Sequence, residues 1–267
     1  MWIASYVVVL GIFSIHLYRF PVYPMDTLGY MGNALLMKHL DSARIHELVY
    51  SELDQMSVGV RRDLLGIRGS GDAVQDASRQ MRAKSVDSFS EFLPCFAIRP
   101  IYIQSLYALS LIVGLRRSAV LLSVGSYFLL GILVFAWCLR YVRPYYAAAS
   151  SLFLMLTPPV TLLGRSTLPD ALSTLLGMSA LFLIFEIDSL LPGLLLLLGS
   201  IYVRTDSIAL ALPVLAILWF MARLDFWKAA LLTPLGLFGP AHQSLRWGLR
   251  SRNAVPPKFW RHTQFPR

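Results

Sequence analysis

The chain has 267 residues, of which 56% are hydrophobic and only 15% charged, with a formal net charge of +9 and a mean hydropathy of +0.60. A water-soluble domain carries roughly 25% charged residues, so the composition excludes an ordinary soluble enzyme. The basic residues sit in loops and at the ends of apolar runs, which is a membrane-topology pattern rather than a nucleic-acid footprint.

In chain order, the first apolar run covers 2–18. It lacks a basic leader and a small-x-small cleavage site, so it is read as a retained span rather than a signal peptide. A long mixed segment, 20–118, follows and holds most of the polar residues. Within it, "DTLGYMGNALLMKHL" (26–40) puts Leu28, Met31, Leu35, Leu36 and Leu40 on one helical face. "ARIHELVYSELDQM" (43–56) does the same with Ile45, Leu48, Val49, Leu53 and Met56. Both are expected to be amphipathic helices lying on the membrane surface or on the tops of the spans. "RGSGDAVQDASRQMRAKSVDS" (68–88) is small and polar, and reads as a flexible loop with one exposed helix. The apolar part of "RPIYIQSLYALSLIVGLRR" (99–117) is short for a span and suits a re-entrant or interfacial helix.

"AVLLSVGSYFLLGILVFAWCL" (119–139) carries no charge. At 1.5 Å per residue it crosses a hydrocarbon core of about 30 Å. Further spans are expected at 145–163, 168–185, 189–204 and 206–222, with a weaker one at 226–240. Backbone groups cannot stay unpaired in lipid, so the spans must be helices. The expected fold is therefore an all-α polytopic membrane helix bundle over 1–240, multi-pass in the cell (inner) membrane. Residues 241–267, basic and proline-broken, are expected to form a disordered tail. Cys95 and Cys138 form no disulfide framework. Zinc-type spacing, a glycine-rich phosphate loop, a Gly-x-Ser-x-Gly turn and an internal repeat are all missing from the sequence.

If 101–115 does not cross, Arg140, Arg143, Arg223 and Lys228 share one side and face only Arg165 and Arg204 in the short loops opposite. The positive-inside rule then puts the N-terminus, 140–144, 186–188 and 223–228 in the cytoplasm. The 20–118 segment, 164–170 and 204–206 lie outside. Asp26, Asp170 and Asp206 all fall on that outer face, with Arg165 and Arg204. Each aspartate also stands where helices favour one, as an N-terminal acceptor or dipole partner. Each arginine suits an interfacial anchor. Capping and a functional site both remain open on these residues. His16, His39 and His46 have no ligand spacing and are read as structural.

The residues "YPMDTLGYMGNALLM" (23–37), "RPIYIQSLYALSLIVGL" (99–115), "AAASSLFLMLTPPVTLLGRSTLPDALSTLLGMSALFLIFE" (147–186) and "YVRTDSIALALPVLAIL" (202–218) occur in an order that resembles the GT-C superfamily of membrane glycosyltransferases. The resemblance is to the protein O-mannosyltransferase and lipid A aminoarabinose transferase branch, and it covers about 1–225. It implies an acidic residue and a tyrosine at the start of the first outer loop, matched by Asp26 and Tyr30. It implies a second acidic residue opening the span after a Pro-containing one, matched by Asp170. It implies a basic residue before a later span, matched by Arg204. The implied chemistry is inverting sugar transfer from a polyprenyl-phosphate sugar to a glycan, lipid or protein acceptor. Asp26 would be the base, Arg204 and Arg165 would hold phosphate, Asp206 would lie with them in the substrate site, and Asp170 would orient the site or a cation. A divalent cation is compatible with this chemistry but not required by it. Thr27 stands where the family often has a second acidic residue, and members usually have more spans. An inactive or shortened remnant and a non-catalytic scaffold are the alternatives. A transporter is less favoured, because the span centres hold no ionisable residue.

Overall fold

A computed structural model describes residues 2–67 and 72–220. These residues are helical, with no β-strand among them beyond one isolated parallel bridge between Val22 and Ser166. Two helices are long and apolar enough to cross a membrane, Trp2–Arg19 (α1) and Leu115–Cys138. A bent pair, Pro144–Met155 and Pro158–Arg165, makes a third if it acts as one span. The expected segments at 226–240 and 241–267 lie outside the described residues.

α1 buries Tyr6, Leu10, Ser14 and Leu17 and leaves Ile3, Val8, Val9, Ile12 and Ile15 exposed. A helix with apolar residues on both faces suits a lipid-facing position. The next helix, Asp26–Leu36 (α2), corrects the surface-helix expectation for 26–40. Every residue from Thr27 to Leu35 is buried. The face that looked polar is made of Thr27, Gly29, Gly32 and Asn33, which are small rather than water-seeking. A Cβ at Gly29 would lie 2.4 Å from the Phe96 ring, and one at Gly32 would lie 2.5 Å from Leu93. The missing side chains thus admit the 89–96 segment, and Asn33 fastens it by donating to the Leu93 carbonyl at 2.8 Å.

Ser42–Ser51 (α3) and the turn to Gln55 point Ile45, Val49 and Leu53 inward, as their spacing predicts. Val58–Leu64 (α4) and Ala73–Lys84 (α5) follow, and α5 has no buried residue. Val86–Phe92 (α6) is a further helix within the stretch read as loop, anchored by buried Phe89. Pro100–Val113 (α7) begins at Arg99 and ends at Gly114, whose φ is +86°. The next helix, Leu115–Cys138 (α8), starts four residues earlier than 119 and carries Arg116 in its first turn. Arg116 donates to the Gln55 carbonyl at 3.2 Å. α7 is apolar, and at 14 residues it is shorter than the two helices long enough to cross a membrane.

The span expected at 145–163 is broken at Pro158–Pro159 into Pro144–Met155 (α9) and Pro158–Arg165 (α10), bent by 69°. Pro158 and Pro159 have no N–H, and Thr157 before them is extended. The carbonyls of Leu154 and Met155 thereby lose their helical donors. The Thr157 hydroxyl donates to Leu154 at 2.7 Å, and buried Tyr127 of α8 donates to Met155 at 2.7 Å. Tyr127→Phe should leave the Met155 carbonyl unpaired and cost about 1–3 kcal/mol. A lowered midpoint of thermal unfolding in detergent checks this, and an unchanged midpoint refutes it.

Asp170–Leu181 (α11), Leu190–Val203 (α12) and Ile208–Phe220 (α13) are apolar but shorter than the expected spans. A π-helical turn, Phe182–Glu186, extends α11. Buried residues form three packed groups. One joins α2, α3 and α7 under the long segment, one joins α1, α8 and α9, and one joins α11, α12 and α13. Tyr6 knits the second group, donating to the Gly131 carbonyl and sharing a hydrogen bond with Ser151, each at 2.7 Å.

Candidate functional site

The elements leave two polar ends. At one, Glu186 accepts from Trp137 at 2.8 Å and from Tyr141, while Arg140 donates to its backbone carbonyl at 2.6 Å. Trp137, Arg140, Tyr141 and Glu186 thus partner one another. The other end gathers the N-terminus of α2, the start of α7, the 165–170 turn and the 204–207 turn.

The backbone makes this second end. Val22 donates to the Arg165 carbonyl at 2.8 Å, and Thr167 donates back to Val22 at 3.1 Å. The Thr27 and Thr167 hydroxyls lie 2.6 Å apart, and Tyr102 donates to the Thr167 carbonyl at 3.0 Å. The first residues of α2, α7 and α11 are thus fastened to one another. Asp26 opens the first of these helices and Asp170 opens the third.

Neither aspartate caps its helix by a side-chain hydrogen bond, because each stands at the first helical position instead of before it. Only the weaker dipole benefit of the capping reading remains. The two then differ. Asp170 is held by the Arg204 guanidinium, which also reaches Asp206 through Nε at 3.0 Å. Burial works against the Arg204 charge, but the Asp170 and Asp206 carboxylates outweigh it and hold the guanidinium above its usual value. Asp26 is half-buried and has no hydrogen bond or ion pair among the described residues.

Two guanidiniums lie within electrostatic reach of Asp26. Burial, then the Arg204 charge, pushes Arg99 below the usual arginine value, while Asp26, Asp170 and Asp206 pull it back. Burial likewise depresses Arg82 of α5, with Asp26 among the charges that counter it. Arg82 donates to Ser78 at 2.6 Å and covers the Phe92 ring. Arg99 lies 5.3 Å from the Tyr30 ring centroid, and its Nε is buried without a partner.

The other expected site residues fall as follows. Tyr30 is buried, edge-on to Phe96 and Tyr102, so it supports Arg99 from beneath. Arg165 is exposed and donates through Nε to the Phe20 carbonyl at 2.9 Å, where it fastens the end of α1. Arg99 and Arg82 were not legible as site residues. The only signal for Arg99 was a cation placed directly before Pro100 and an apolar run. No group of three or more His, Cys, Asp or Glu among the described residues could hold a metal. The cation beside Asp170 is the Arg204 guanidinium. No family model, no curated protein and no solved structure matches the chain.

Proposed function

We propose that the chain is a multi-pass inner-membrane glycosyltransferase of GT-C type, moving a sugar from a polyprenyl-phosphate donor to an acceptor hydroxyl at the outer face. The observation that carries this reading is the half-buried Asp26 carboxylate, without a hydrogen bond or ion pair among the described residues, at the end of the fold where Arg204 holds Asp170. In the reaction, Asp26 takes the acceptor's proton as the acceptor oxygen attacks the anomeric carbon. The bond from that carbon to the phosphate oxygen breaks with inversion, and its electron pair leaves on the polyprenyl phosphate. A guanidinium near the leaving phosphate steadies the growing charge. Asp170, tied to Arg204, keeps α11 and the 204–207 turn in register. The acceptor class is a glycan, a lipid or a protein.

Transfer in liposomes from defined polyprenyl-phosphate sugars tests the proposal, and no transfer from any donor would overturn it. The ion pairs among Asp170, Arg204 and Asp206 also favour a second reading. They would hold helix ends together in a non-catalytic scaffold or a transferase remnant just as well.

The topology has its own test. α1, α8 and the bent α9–α10 pair cross in this reading, with α11–α13 crossing by virtue of their polar flanks. Exposed Cys95 is then outside, and a cysteine at exposed Val142 is inside. A membrane-impermeant maleimide should label Cys95 in intact cells, and should label V142C in a C95S background only after permeabilisation. Labelling of both from one side refutes the arrangement.

A further inference from the structure

We infer that Arg99, rather than Arg204, is the binding residue for the phosphate group at this site. The identification of the ligand as a phosphate rests on the transferase reading above. Two observations separate the arginines. Arg204 already holds two carboxylates, Asp206 through Nε and Asp170 through Nη1. A phosphate arriving there would have to displace one of them or meet it as a like charge. Arg99 has no ion pair among the described residues, and its buried Nε has no hydrogen-bond partner.

An unpartnered buried donor on a charged group is costly, and proteins keep few of them. A phosphate oxygen satisfies it with a charge-assisted bond and matches the planar guanidinium fork. The surroundings favour the same ligand. The Tyr30 ring lies beside the guanidinium and limits its orientation. The Tyr30 hydroxyl is also buried without a partner. Arg99 immediately precedes the first residue of the fourteen-residue helix α7, whose free N–H groups carry partial positive charge. Asp26 opens α2 at the same end of the fold, and an inverting displacement puts the base and the leaving phosphate on opposite faces of the sugar carbon held between them.

The phosphate could be free or carried on a lipid, and the test separates the two. The full chain in phosphatidylcholine nanodiscs is titrated with inorganic phosphate, and separately with farnesyl phosphate, with isothermal titration calorimetry as the readout. Arg99→Gln should weaken binding about tenfold or more, and Arg99→Lys should weaken it less. Arg204→Lys, which keeps a cation for Asp170, should change it by less than about threefold. Binding of farnesyl phosphate alone assigns the site to a lipid headgroup. Equal binding of both probes assigns it to free phosphate. Wild-type affinity in Arg99→Gln at an unchanged unfolding midpoint would overturn the inference. So would loss of binding in Arg204→Lys alone, or no binding of either probe to the wild type. Binding that depends on Arg99 without sugar transfer would leave the inference standing and remove the transferase reading.

Discussion

Asp26→Asn is expected to cut sugar transfer by about 10² to 10⁴-fold, the usual share of a general base, with no loss of folded protein. The two halves of that expectation come from different observations. Asparagine has the size of aspartate and cannot take a proton at neutral pH. Asp26 makes no hydrogen bond or ion pair among the described residues and does not cap α2, so its replacement breaks no contact. A purely structural Asp26 would change neither quantity much. Initial rates at saturating donor, measured beside the unfolding midpoint, separate the cases. A variant as active as the wild type would remove Asp26 from the chemistry.

Arg204→Ala has the opposite profile, with stability as the main loss. The side chains of Arg204 and Asp170 are 35% and 24% exposed, which places the pair between a surface and a buried ion pair. Surface pairs contribute about 0–1 kcal/mol, and breaking a buried one costs about 3–5 kcal/mol. We expect about 1–3 kcal/mol here, because the alanine leaves Asp170 unpaired against α12 and the 204–207 turn. Adding Asp170→Asn should recover part of the loss, and a double-mutant cycle measures that coupling. If Arg204→Ala instead kept its unfolding midpoint and raised the KM for donor, Arg204 would be the phosphate partner after all.

The sequence predicts the elements better than their depth. Pro158–Pro159 marks the break between α9 and α10, and the charge-free run marks α8. The short apolar core of 99–117 marks α7 as a helix shorter than a full span. The stripe of α2 is also plain, but its burial is not. Periodicity counts large apolar residues, and it cannot distinguish a face of Gly29, Gly32 and Asn33 that meets water from one that admits Phe96 and Leu93. The site is legible in the same uneven way. Asp26, Asp170 and Arg204 stand out at the edges of apolar runs. Whether a carboxylate there is free or already held depends on contacts between positions 34 apart, as for Asp170 and Arg204, and no local pattern encodes that. Arg99 was missed because it reads as the flank of an interfacial helix. Its lack of a partner is a property of the assembled fold.

The bridge between Val22 and the 165–167 turn joins positions 145 apart in the chain, and this sets an order of manufacture. Asp26, Arg82 and Arg99 all belong to the stretch that ends where α8 begins, and so do Phe89, Leu93 and Phe96, which pack against Gly29 and Gly32 of α2. Synthesis at roughly 5–20 residues per second delivers this half roughly 5–18 s before Asp206 emerges. The early half can pack first, while the Thr27 end of α2 waits for Thr167 to close it. Asp170 then arrives ahead of Arg204 and stays unpaired until α12 has been made. A nascent chain stalled between the two would carry a finished Asp26 half and an exposed, uncompensated carboxylate, a form that quality-control proteases could distinguish from the completed protein.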